Sequence, residues 1–197
     1  VHRPGWLDCI AVKRFDNDGM VVGESRFLGL YTSKAYIAPV AQIPQIRRRI
    51  EEVMIAAGVI PDSHAAKSLQ AILEAYPRDE LFQMDTSTLI EHAIGILRLQ
   101  ERQRTRMFVR RDPFGRFNSV LVFVPRDRYN TELRYRIGQE LKRTWNGQSV
   151  EFTPMLTENP MARIHYLIRF GTENIGKPDL AALEARIARL ARRWEDD

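Results

Sequence analysis

Gly171-Thr172-Glu173-Asn174-Ile175-Gly176-Lys177 has the glycine and lysine spacing of a phosphate-binding loop, set between a strand-like stretch and a helix-like one. Nucleotide chemistry there needs Ser or Thr after the lysine to hold magnesium, and this chain has Pro178. The preceding strand is patterned for antiparallel pairing, and no second apolar strand ends in a metal-binding Asp. The segment therefore reads as a loop with proline at the first helical position. Four histidines, His2, His64, His92 and His165, lack paired-ligand spacing and predict no metal site. Cys9 is the single cysteine, so an internal disulfide and a cysteine zinc cluster are excluded. It lies in an apolar strand, which predicts a buried, unreactive thiol. No nucleophile elbow and no dinucleotide fingerprint is present, and the carboxylates sit on charged helix faces. The expectation is a chain with no catalytic residue, no metal and no bound cofactor of its own.

One segment mixes arginine with aromatics: Arg110, Arg111, Phe114 and Phe117, with Phe123 on the next strand. On an open sheet such a set would stack bases and hold phosphates, which defines an RNA-binding alternative. Core aromatics beside a basic hairpin is the favoured reading, since Phe114 falls in a turn.

These residues are positioned by a clear series of elements. Residues 7–14 and 20–31 are strand-like around Asp16-Asn17-Asp18-Gly19, a hairpin signal. From Ile43 the period becomes helical through Ile46, Ile50, Val53 and Ala57, closed by Gly58 and Pro61. Arg47-Arg48-Arg49 followed by Glu51-Glu52 reads as a solvated helix face. Ser63 caps a second helix, Pro77 opens a short third, and Thr88 to Glu91 matches a capping box for a fourth. Strands at 104–111 and 117–124 flank a turn at Asp112-Pro113-Phe114-Gly115. Asn130 caps a helix bearing Leu133, Ile137, Leu141 and Trp145, and Gly147 ends it. Strands at 149–156 and 162–170 follow, then a helix from Pro178 with Leu180, Leu183, Ile187, Leu190 and Trp194.

Strand, strand, helix, strand, strand, helix is the ferredoxin-like series with its last strand moved to the front. The predicted fold class is α+β: a four-stranded antiparallel sheet with two helices on one face, in a permuted ferredoxin-like arrangement. The predicted division is a β-hairpin at 1–40 from the end of a preceding sheet module, a helical connector at 41–103, and the sheet domain at 104–197. The apolar hairpin edge predicts pairing with a second copy, or a disordered start.

The 197 residues, 44% of them hydrophobic, suffice for one ordinary domain or two small ones. The start at Val1, directly ahead of a strand, predicts a piece of a longer protein. No apolar run reaches the ~20 residues that span a bilayer, and no signal segment is legible. The single thiol predicts a reducing, cytoplasmic location. Net charge is +5, from 30 Lys and Arg against 25 Asp and Glu. The basic residues mostly alternate with acids along helices, which disfavours nucleic acid as a partner.

Several stretches resemble the large bacterial NAD-dependent glutamate dehydrogenases: VHRPGWLDCIAVKRFD at 1–16, RFLGLYTSKAY at 26–36 and YPRDELFQ at 76–83. More specific are LQERQRTRMFVRRDPFGRF at 99–117 and VFVPRDRYNTELR at 122–134. The resemblance runs from Val1 to about Phe170. It implies a non-catalytic, regulatory or assembly region of an oxidoreductase that converts L-glutamate, NAD and water to 2-oxoglutarate, ammonium and NADH. NAD would bind elsewhere in that parent enzyme. The implied partners are its remaining domains and other subunits in a homo-oligomer. The family's N-terminal region carries ACT-like modules, which are themselves ferredoxin-like, so 104–197 is expected to be one. Such modules commonly bind amino acids near the loop between first strand and first helix, here Pro125 to Asn130. Arg126, Arg128 and the helix start at Asn130 would hold a carboxylate, and Asp127 an amino group. The plainer alternative keeps Asn130 as a cap and the arginines as surface or interdomain ion pairs.

Overall fold

The computed structural model describes residues 7–156, 159–171 and 177–192, and the chain divides into two units, 1–48 and 49–197. His2, positions 172–176 of the glycine loop and Trp194, each singled out in the sequence, lie outside the described residues.

In the first unit, strands β1 (Asp8–Phe15) and β2 (Val21–Gly29) pair antiparallel, with Cys9 opposite Leu28. The turn forms because the Asp16 carboxylate accepts hydrogen bonds from the amides of Asp18 and Met20, while Gly19 takes φ +78°. Ile10, Val12, Phe15, Val21, Phe27 and Leu28 are all exposed. Cys9 is exposed too, contrary to the expectation of a buried thiol: apolar neighbours in sequence do not bury a residue when the ribbon has two open faces. Helix α1 (Ser33–Ile37) and a 3-10 turn at Val40–Gln42 follow, and neither was legible in the residues. Helix α2 (Pro44–Ala57) starts on proline, where no amide donor is needed.

In the second unit, α3 (His64–Ala75) is capped by Ser63, whose side chain accepts from the Ala66 amide. Pro77 precedes α4 (Arg78–Gln83). The capping box expected at Thr88 is corrected: the cap of α5 (Thr86–Glu101) is Asp85, three residues earlier, which accepts from the Thr88 amide and hydroxyl. The hydrogen bond from the Ser87 hydroxyl, followed by those from Thr88, holds the Asp85 carboxyl down at about 2. Arg49 is likewise more than a solvated charge. It donates to the carbonyls of Leu81 and Met84 at 2.8 Å each, satisfying the end of α4.

Strands β3 (Arg106–Arg111), β4 (Phe117–Pro125), β5 (Ser149–Met155) and β6 (Met161–Arg169) form an antiparallel sheet in the order β3-β4-β6-β5. The turn from β3 to β4 closes on Asp112, which accepts from the Arg116 amide and guanidinium, with Gly115 at φ +68°. One face of the sheet packs on α6 (Thr131–Thr144) and α7 (Leu180–Arg192) through Val120, Val122, Ile164, Tyr166, Leu141 and Ile187. Asn130 caps α6 as expected, accepting from the Leu133 amide at 2.7 Å. The left-handed residue that ends α6 is Asn146, at φ +49°, not Gly147. Gly147 is required for space instead, since a Cβ there would lie 2.5 Å from Ile168 Cγ2. The last helix starts past Pro178, at Leu180, because the Asp179 carboxylate accepts from the amides of Ala181 and Ala182.

The opposite face of the sheet is also covered, by the preceding helices. All of Phe117 to Val124 is buried. Glu80 of α4 takes a two-pronged ion pair from Arg110 of β3 at 2.6 and 2.8 Å, both side chains being about 5% exposed or less. His92 of α5 meets the Tyr76 hydroxyl at 2.9 Å and lies against Phe108, its ring tilted by 57°. His165 of β6 lies 2.8 Å from the Ser119 hydroxyl and 4.0 Å from Glu80. Arg163 donates to the Ala75 carbonyl. The expectation that every carboxylate sits on a solvated helix face is therefore corrected at Glu80.

Burial pushes the imidazoles of His92 and His165 below the usual histidine value. The Arg110 and, for His165, Arg163 cations act in the same direction, against Glu80 and, for His92, Glu91. The unfolded chain then binds protons more readily than the folded one. Their contribution to stability is complete above about pH 6.5 and is lost as pH falls through the folded values. The urea midpoint should drop between about pH 6.5 and about pH 5, above the range where carboxylates titrate. In the His92→Gln, His165→Gln variant that drop should shrink; an unchanged pH profile would contradict the buried placement.

Candidate effector site

The loop from β4 to α6 holds all four residues expected to bind an effector. Arg126–Arg128 forms a 3-10 turn, anchored where the Arg126 amide donates to the Pro160 carbonyl at 2.8 Å. Arg126 and Asp127 are exposed on that turn, and the Asn130 side chain is engaged in capping. Arg128 is the one of the four that lines a cleft, of about 430 Å³, bounded by residues 103–105 ahead of β3 and by one side of α7. Arg104 and Arg192 line it as well, so three cations from three separate segments of the chain border one space. Ala181, Ala185 and Ala188 recur on α7 at helical spacing, and their small side chains leave that space open. Glu184, between them, accepts from Arg106 Nη1 at 3.0 Å and from the Met107 amide at 2.9 Å, which docks α7 on the edge strand.

Three guanidinium groups around a cleft floored by alanine suit a carboxylate or phosphate, because each presents a planar fork of donors. Glu184 retains acceptor capacity for an ammonium group beside them. Of the residues named from the sequence Arg128 lines this cleft, and Arg104 and Arg192 were not among them. Their distance along the chain hides the convergence, although the repeated alanines of α7 were a usable signal for a face that leaves room.

The RNA-stacking alternative is corrected by burial. Phe117 and Arg110 are 8% and 5% exposed, so neither reaches a base, and Phe114, 80% exposed in the turn, has the Arg116 guanidinium 5.0 Å over its ring.

Comparison with known proteins agrees with the geometry. The model of the glutamate dehydrogenase ACT2 domain matches residues 106–195, and that of glutamate dehydrogenase helical motif 1 matches 43–102. The chain is 44% identical over 197 residues, its whole length, to the NAD-specific glutamate dehydrogenase of Halomonas elongata. It belongs to the NAD-specific glutamate dehydrogenase family. The Pseudomonas aeruginosa relative is 39% identical over the same length, and the Mycobacterium tuberculosis relative 34% identical over 95% of the chain. The chain spans 12% of the length of each of these glutamate dehydrogenases. The three-arginine cleft lies wholly in and just ahead of the ACT2 region, and the helices that cover the other sheet face are helical motif 1. No helix among the described residues is long and apolar enough to cross a membrane.

Proposed function

We propose that this chain is a non-catalytic regulatory and assembly region of an enzyme that oxidises L-glutamate with NAD, and that the Arg104–Arg128–Arg192 cleft takes an amino-acid effector. The observation that carries the reading is the convergence of Arg128 and Arg192 of the ACT2 region and Arg104, just ahead of it, on one cleft. The effector's carboxylate would pair with the arginine forks and its ammonium with Glu184. An effector that contacts α7 and the β4–α6 loop together favours whichever arrangement of the parent's subunits holds them at that separation. NAD and the reacting groups would lie elsewhere in the parent, and the partners of this region are the parent's remaining domains and subunits. The reading keeps the division into a hairpin at 1–40, a helical connector at 41–103 and an ACT domain at 104–197. The exposed apolar ribbon of β1 and β2 is then completed by strands of the parent or of a second copy.

The test is the melting temperature of the chain across a panel of amino acids at millimolar concentration. Binding to the folded state alone adds about 2.7 kcal/mol at a hundred times the dissociation constant. One amino acid should raise the melting temperature selectively. Arg128→Ala should remove that rise, and Arg126→Ala, on the same turn but outside the cleft, should keep it. A panel without any rise would discard sensing and leave assembly as the role.

A further inference from the structure

A second space lies on the other face of the sheet, between α3, α5 and the β6 side, with a volume of about 310 Å³. Its walls are apolar: Ile72 of α3, Ile96 and Leu99 of α5, Phe123 of β4 and Met155 of β5. The cation at this wall is Arg163. One terminal nitrogen of Arg163 donates to the Ala75 carbonyl, while its Nε is buried and has no hydrogen-bond partner. Among the described residues, no carboxylate lines the space and none forms an ion pair with this guanidinium. Burial pushes Arg163 down to about 10, against the opposing field of Tyr76. Buried charges are ordinarily paired, so an arginine held against an apolar wall with a spare donor is an incomplete arrangement.

We propose that this cleft binds an apolar monocarboxylate, whose carboxylate pairs with Arg163 and whose tail lies between α3, α5 and Phe123. Charge selects the carboxylate, and the aliphatic walls select the tail. Among the described residues no Asp or Glu lines the space to take an ammonium group, so a free amino acid is a poorer fit than the acid lacking its amino group. The ligand bridges helical motif 1 and the ACT2 sheet, and its binding strengthens the contact between them. This site is separate from the three-arginine cleft and does not depend on it.

The probes are hexanoate for a fatty acid and 4-methyl-2-oxopentanoate for a 2-oxo acid, with hexylamine, leucine and succinate as controls, each titrated against the full chain by thermal melting. At least one of the two monocarboxylates should raise the melting temperature, by about 5 °C or more at a hundredfold excess over its dissociation constant. Which of the two acts identifies the source. The amine, the amino acid and the dicarboxylate should leave it unchanged. Arg163→Met should abolish the rise. Ala71→Phe, a substitution on the exposed rim of the cleft that fills it without touching Arg163, should abolish it as well and still allow the fold. No rise with either acid, an equal rise with hexylamine, or a rise that survives Ala71→Phe would overturn the proposal.

Discussion

Replacing Arg110 by alanine should lower the stability of the chain by about 3–5 kcal/mol, the usual cost of leaving one buried charge without its partner. Glu80 would keep its carboxylate under the helical layer, 2.6 and 2.8 Å from donors that no longer exist. Burial lowers the imidazole of His165, 4.0 Å away, below the usual histidine value, which opposes its taking over as the partner cation. Burial opposes the Arg110 charge, and the hydrogen bonds and field of Glu80 outweigh it, so the guanidinium is held above its ordinary value. Replacing both residues by leucine and methionine removes the stranded charge, and that variant should recover most of the loss. Urea unfolding of the two single variants and the double variant checks this. A cost below about 1 kcal/mol for Arg110→Ala is what an exposed pair would give, and would mean the helices do not cover the sheet.

The second large effect concerns Gly95. A glycine in the middle of α5 gives up about 1 kcal/mol of helix propensity relative to alanine, so its presence needs a reason. The reason is Phe108 of β3, whose ring would stand 2.5 Å from a Cβ at position 95. That close approach lets the ring lie against His92 and edge-on to Phe123. Gly95→Leu should cost about 3 kcal/mol by driving the helix off the sheet. Gly95→Ala should cost less, because the propensity gain offsets part of the clash. Both are measurable by thermal unfolding. An unchanged stability for Gly95→Leu would contradict the seating of α5 on β3.

These two residues also show where the sequence was readable and where it was not. The α6 stripe of Leu133, Ile137, Leu141 and Trp145 is as buried as its spacing implies, and Asn130 caps it, because local periodicity and capping need only near neighbours. The sheet with α6 and α7 on one face followed from the order of elements. That the other face is covered by helical motif 1 did not, although Phe117 to Val124 carries the signal: the run is apolar at nearly every position, not at alternate ones. Glu80 and Arg110 look in sequence like any acid and base on polar segments, and only three-dimensional proximity reveals their pairing. The same limit applies to the candidate site. Arg128 was found because it stands in the β4–α6 loop, whereas Arg104 and Arg192 come from elements that sequence order does not bring near it.

The role proposed for the ACT2 region is to sense an amino acid through the three-arginine cleft. Its most direct test is the initial velocity of the full-length glutamate dehydrogenase across an amino-acid panel, at subsaturating glutamate and NAD. Velocity should change with one amino acid; the response should vanish in Arg128→Ala and persist in Arg126→Ala. A response that is the same in Arg128→Ala as in the parent, or a velocity that no amino acid alters, would contradict it.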